Sequence, residues 1–195
     1  MNRTFLIALL VVVGAGIYFS VFIIREKIPQ VPTYVNAEHG YAIKYPPFLQ
    51  TREYSTEDIV FDEITGEMMR GVVEAEVMTI EAVPRYSYEV ALTTRLQNMC
   101  AADGPDASYT CIGAEQIQDF VSGFGAKGTS LYLIGQLTDL KTKAVTQEKR
   151  GPFFIFPLIT SATTSMALVI HPPMNLTEAE TDQLLVRQMA ESVEI

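Results

Sequence analysis

The chain has 195 residues, 48% of them hydrophobic and 19% charged, enough for one domain with a real core and too little for two. Its formal net charge is −9, from 14 basic and 23 acidic residues; three of the basic and one of the acidic residues lie in 1–27, which leaves 11 against 22, or −11, for the rest. A surface that acidic, without a Lys/Arg run, repels phosphate backbones and argues against nucleic-acid binding, while cationic or neutral partners stay open.

The first element is FLIALLVVVGAGIYFSVFII, Phe5 to Ile24, twenty residues without a charge. At about 1.5 Å per residue a helix of that length matches the roughly 30 Å hydrocarbon core of a bilayer. A cleavable signal peptide competes with this reading, since Gly14-Ala15-Gly16 supplies small residues. The apolar run continues past them to Ile24 and no A-x-A site follows, so an uncleaved signal anchor over 1–27 is expected. The flanking charges nearly balance, Arg3 against Arg25 and Lys27, and do not fix orientation. The short N-terminal tail and the two cysteines favour a chain whose bulk lies outside the cytoplasm, in the cell membrane by a single span. Residues 28–33, with Pro29 and Pro32, read as an extended linker, and the domain is expected to run over 34–195.

Within the domain, HGYAIKYP places Tyr41, Ile43 and Tyr45 on one face and Ala42 and Lys44 on the other, the alternation of a half-buried strand. His39 stands at the turn into it, where solvent exposure is expected, and Pro46-Pro47 ends it. Asp58 to Ile64 is a further strand, closed by Thr65-Gly66. Arg70 to Pro84 is a longer one whose apolar phase changes near Val77 and Met78, which predicts a bulge or twist. Tyr88, Ala91, Leu92, Leu96, Met99 and Cys100 follow three-and-four spacing after Ser87 as N-cap, an amphipathic helix. AADGPDASYT reads as a loop; two strands joined by a glycine turn follow, and GPFFIFPLI and TSMALVIHPP supply two more. Last comes a helix with a Thr177/Glu180 capping box and an apolar face of Leu185, Val186, Met189, Ala190 and Val193.

Four features invite a chemical reading. Cys100 and Cys111 enclose ten residues, neither a redox C-x-x-C nor half of a zinc ribbon; outside the cytoplasm a disulfide between them is expected, worth roughly 3 kcal/mol by loop entropy. Two buried thiols are the alternative. GFGAKG, Gly123 to Gly128, matches G-x-G-x-x-G, but a β pattern follows where a cofactor loop needs a helix, so a hairpin turn is expected and Lys127 is solvated. Glu57, Asp58, Asp62, Glu63 and Glu67 lack calcium-loop spacing and read as a solvated face. His171 closes a strand, and serves a hydrolase only if a carboxylate, with or without His39, converges on it. Asn175-Leu-Thr is a formal sequon whose local role is helix entry. No catalytic set, cofactor or metal site is assigned.

GYAIKYPPF, Gly40 to Phe48, resembles the G-[FY]-x-[IF]-x-YP opening strand of the PsbP-like family, and QLLVRQMAESVEI resembles its closing helix and tail. The resemblance implies an α+β fold, an antiparallel sheet flanked by helices, here behind one transmembrane helix. The family's frequent Trp after YP is absent, Phe48 standing nearby, and Val193 and Ile195 replace the closing aromatics. The matching positions are core positions, so no catalytic residue and no photosystem role is carried over. The expected function is a membrane-anchored extracytoplasmic binding or assembly module, non-enzymatic, with a possible envelope protein partner; the alternative is a membrane-tethered hydrolase around His171.

Overall fold

The computed structural model describes residues 30–66, 68–81, 88–99, 102–103, 107–160 and 164–195. The segment expected to span the membrane, together with the helix cap Ser87 and with Cys100, lies outside them. Among the described residues no helix is long and apolar enough to cross a membrane. Pro32–Ile195 forms one compact unit.

Among the described residues this unit has ten strands, two α-helices and a short 3-10 turn. A hairpin of β1 (Thr33–Asn36) and β2 (Tyr41–Lys44) stands apart from an eight-stranded antiparallel sheet. The sheet comprises β3 (Leu49–Glu53), β4 (Asp58–Thr65), β5 (Met68–Glu81), β6 (Ala102–Asp103), β7 (Ala107–Val121), β8 (Lys127–Asp139), β9 (Val145–Thr160) and β10 (Thr164–His171). Its order is β3-β4-β5-β10-β9-β8-β7-β6, so two meanders meet where β5 pairs with β10. Helix α1 (Tyr88–Met99) carries the chain from the middle of the sheet to its far edge, and α2 (Gln183–Glu191) closes the fold.

Both faces of the sheet carry a core. On one, Phe61, Val73, Ala75, Val77, Phe154, Phe156, Leu168 and Ile170 pack under α2 and the β1–β2 hairpin. On the other, Met78, Ile80, Leu131, Leu133, Phe153, Ile155, Ala167 and Val169 pack with Leu92 and Leu96 of α1. This corrects the bulge expected at Val77 and Met78. The pairing of β5 with β10 runs without a shift through those residues, and the phase change marks the core crossing from one face to the other. The actual shift in β5's other pairing lies opposite Phe61 and Asp62.

Two prolines sit inside β9, where a central strand should not tolerate them. Each falls at a register shift: Pro152, after a cis bond from Gly151, beside the shift between Leu131 and Leu133, and Pro157 at the one between Met166 and Ala167. The missing N–H is thereby absorbed where the ladder is already interrupted. The segment read as a loop also needs correction, since Ala102–Asp103 pairs with Ser108 and Tyr109 as a short edge hairpin.

Helix α2 begins later than its capping box suggests. Thr177 and Glu180 do bond reciprocally, but they open a 3-10 turn over Glu178–Glu180. Asp182 is the cap of the helix proper, its Oδ1 accepting from the Leu185 N–H at 3.0 Å. Leu185, Val186, Met189, Ala190 and Val193 are all buried, as the spacing predicts.

Candidate functional site: a charged groove over β3, β4 and β5

On the face shared with α1, alternation puts Glu74 and Glu76 on the same side of β5 as Met78 and Ile80, two strand positions apart. Register sets Asp58 opposite Glu76 and Val60 opposite Glu74 on β4, and His171 opposite Glu74 on β10. Asp58, Glu74 and Glu76 wall a groove of about 420 Å³ together with Arg52, Tyr54, Arg70 and Asn175, and His171 is buried next to Glu74.

Arg52 is committed within the groove. Its Nη2 donates to Asp62 Oδ1 at 2.8 Å, and its guanidinium lies 5.1 Å from the Tyr54 ring centre. Asp62 is fully buried, which corrects its reading as part of a solvated acidic face; Glu63 is exposed and Asp58 half-buried. Alternation along β4 puts Asp62 on the same side as Val60, opposite to Phe61, and Arg52 of the paired strand β3 offsets its charge. Four carboxylates, Asp58, Asp62, Glu74 and Glu76, thus face two guanidinium groups, Arg52 and Arg70.

The environment sets the proton affinities. Burial raises Glu74 above the ordinary carboxyl range, with the Asp58 charge adding to it. Burial likewise raises Glu76, and nearby Asp58 reinforces the shift. His171 is 1% exposed and stacks on Phe153 with ring centres 5.2 Å apart. Burial lowers its pKa, so the ring is neutral, and its Nδ1–H donates to the Pro172 carbonyl at 2.8 Å. Glu74 Oε2 lies 3.8 Å from the same nitrogen, beyond hydrogen-bond reach.

For Glu76 the linkage sign is that of a raised carboxyl: its contribution to stability is complete at acid pH and is lost as pH rises through the folded value. His171 works oppositely, its contribution being present above the ordinary histidine value and lost as pH falls through the lowered one. Glu76→Gln should therefore raise the unfolding midpoint by a few degrees at pH 7.5, and the gain should fade on acidification as the parent carboxyl protonates. An unchanged midpoint in thermal scans at pH 7.5 would show that the parent carboxylate is not destabilising.

The other predicted positions lie elsewhere. His39 sits in the turn of the β1–β2 hairpin, on the opposite face of the sheet, so the two histidines are not brought together. It is half-buried rather than exposed, and its backbone N–H donates to Asn36 Oδ1 at 2.9 Å. GFGAKG forms the turn between β7 and β8 and no helix follows it; Lys127 is exposed. Cys111 lies on β7 opposite Gly135, and among the described residues no cysteine is a free thiol; Cys100, and with it the pairing, lies outside them. Among the described residues no group of three His, Cys, Asp or Glu side chains could hold a metal ion. Glu74 and Glu76 escape a sequence reading because EAE on a long strand looks like an ordinary solvated edge; the register of β5 against β4, and of β4 against β3, is what gathers the groove.

No family model matches this sequence. No curated protein matches it. Among solved structures the chain is similar to the cyanobacterial PsbP (CyanoP) of Synechocystis sp. PCC 6803, at 12% identity over 87% of this chain and 95% of that one, with a TM-score of 0.45. It is also similar to a protein of Bacteroides thetaiotaomicron at 12% identity over 85% of this chain and 48% of that one, with a TM-score of 0.29.

Proposed function

We propose that this chain is a single-pass, membrane-anchored extracytoplasmic binding module, built on a PsbP-like domain, whose groove over β3–β5 takes a small cationic ligand. The observation that carries the ligand class is the pair Glu74 and Glu76. Both are largely withdrawn from water and reluctant to ionise, and among the described residues neither has an ammonium or guanidinium partner within ion-pair distance. A bound amine or guanidinium supplies the missing counter-charge, so binding tightens as pH rises through their titration.

The PsbP-like reading draws support from the two segments that carry the resemblance. They dock on each other: Ala42 and Glu194 exchange both backbone hydrogen bonds, at 2.9 and 3.0 Å, and Ser192 Oγ bonds the N–H and C=O of Lys44. The anchor and the placement outside the cytoplasm rest on the Phe5–Ile24 run and on a Cys100–Cys111 bridge.

The test uses the full chain in detergent, titrated calorimetrically with agmatine, which carries one ammonium and one guanidinium. Agmatine should bind, succinate should not, and Glu76→Gln should weaken agmatine by about tenfold. Equal heats from both probes, or an unaffected variant, would remove the cationic-ligand reading. Topology is read separately, by impermeant maleimide on intact cells: labelling of Cys100 and Cys111 only after reduction supports the reading, and reaction without reduction only in lysed cells overturns it.

A further inference from the structure

The β7–β8 turn is built as a rigid mount for one aromatic side chain. Ser122, 5% exposed, donates through Oγ to the Val193 carbonyl at 2.7 Å and accepts from the N–H groups of Phe124 and Ala126 at 3.3 and 3.1 Å. The turn's backbone is closed by Ser122 N–H to Ala126 O and Gly125 N–H to Ser122 O, and Gly123 N–H ties it to Glu191 O at 2.7 Å. Gly125, at φ +87°, makes the tight reversal. At the tip of this fixed loop Phe124 is 50% exposed, with Lys44 Nζ 4.2 Å from its ring centre and the exposed Lys127 three residues on.

Lys44 is also the register partner of Thr33, the first residue of β1, so the turn lies beside the point where the linker enters the domain. Eight residues lie between Ile24 and Thr33, so the nine steps from one to the other reach roughly 30 Å at most in an extended chain. A fixed aromatic with two lysines beside it, on the domain's linker side, matches the chemistry of a membrane interface: ring among headgroups, ammonium groups toward phosphate. Glu191 and Glu194 follow on the neighbouring chain, which disfavours a strongly anionic surface.

We infer that the Phe124 turn docks into the headgroup region of a zwitterionic bilayer, the one in which the proposed anchor sits; the inference rests on the anchor reading. The chain contains no tryptophan, so Phe124→Trp creates a single fluorescent reporter. The full chain is reconstituted in phosphatidylcholine nanodiscs with and without brominated acyl chains, and Met68→Trp, 74% exposed at the β4–β5 turn, is the comparison. The Phe124→Trp protein should show blue-shifted emission and roughly twofold stronger bromine quenching than the Met68→Trp protein. Equal quenching, or stronger quenching of Met68→Trp, overturns the docking. Co-flotation of the unmodified chain with lipid is scored separately: its failure removes the anchor reading, whereas flotation without quenching removes only the docking. Should Phe124→Trp not fold, Val121→Trp, whose parent side chain is 57% exposed at the foot of the same turn, carries the same comparison.

Discussion

Replacing Phe61 by alanine is expected to cost about 4 kcal/mol and to lower the unfolding midpoint by roughly 10 °C. Phe61 is fully buried on β4 and packs against Tyr34 of β1 and Tyr45, the residue after β2. Its ring meets Tyr34 edge-on at 6.4 Å and Tyr45 at 5.2 Å between centres. Removing it leaves a void that neither tyrosine can fill without leaving its own strand position, so the transfer loss and the cavity cost add. The hairpin's link to the main sheet is thereby weakened first. Amide exchange should accelerate at Tyr45, which bonds Pro32, before it accelerates in β9. Phe61→Leu, which keeps most of the volume, should recover more than half the loss. A melt showing under about 1 kcal/mol for the alanine variant would mean that the ring does not hold the hairpin to the sheet.

Much of this core is legible along the chain, and the reason is periodicity. Tyr41 and Ile43 alternate with Ala42 and Lys44, and both of the former are buried. The spacing of Leu185, Val186, Met189, Ala190 and Val193 marks one face of α2 in the same way. Neither pattern needs a partner to be read, because each element declares its own buried side. The groove is different. Asp62 looks like its exposed neighbour Glu63, and only the pairing of β4 with β3 decides that it lies beside Arg52 and is covered. Glu74 and His171 are 97 positions apart and become neighbours only through the pairing of β5 with β10. Sheet order and register are properties of strand pairs, so a single strand's alternation cannot disclose which charges will share a wall. The strand holding GPFFIFPLI is legible in spite of its prolines, but the bulges on β9 that accommodate them show only in its pairing with β8 and β10.

GFGAKG shows how a motif can be preserved in letters and empty of its usual chemistry, and its last glycine supplies the second large expected effect. Gly128→Val should destabilise by about 3 kcal/mol or more, a drop of roughly 6–12 °C in the unfolding midpoint. Gly128, on β8, pairs with Phe120 of β7, and a Cβ there would stand 2.3 Å from the Ile155 carbonyl oxygen and 2.9 Å from the Phe156 ring. The first is backbone of a central strand and the second is fully buried, so neither can yield cheaply. Gly113→Ala is the matched control: it lies on the neighbouring strand β7, where a Cβ meets nothing within 4 Å, and should change stability little or raise it slightly. If Gly128→Val melts with the parent while Gly113→Ala does the same, β8 and β9 do not approach closely at Gly128. If Gly128→Val alone is lost, this glycine is there to let two strands pass over Phe156 rather than to admit a pyrophosphate, and the turn above it is free to carry Phe124 outward.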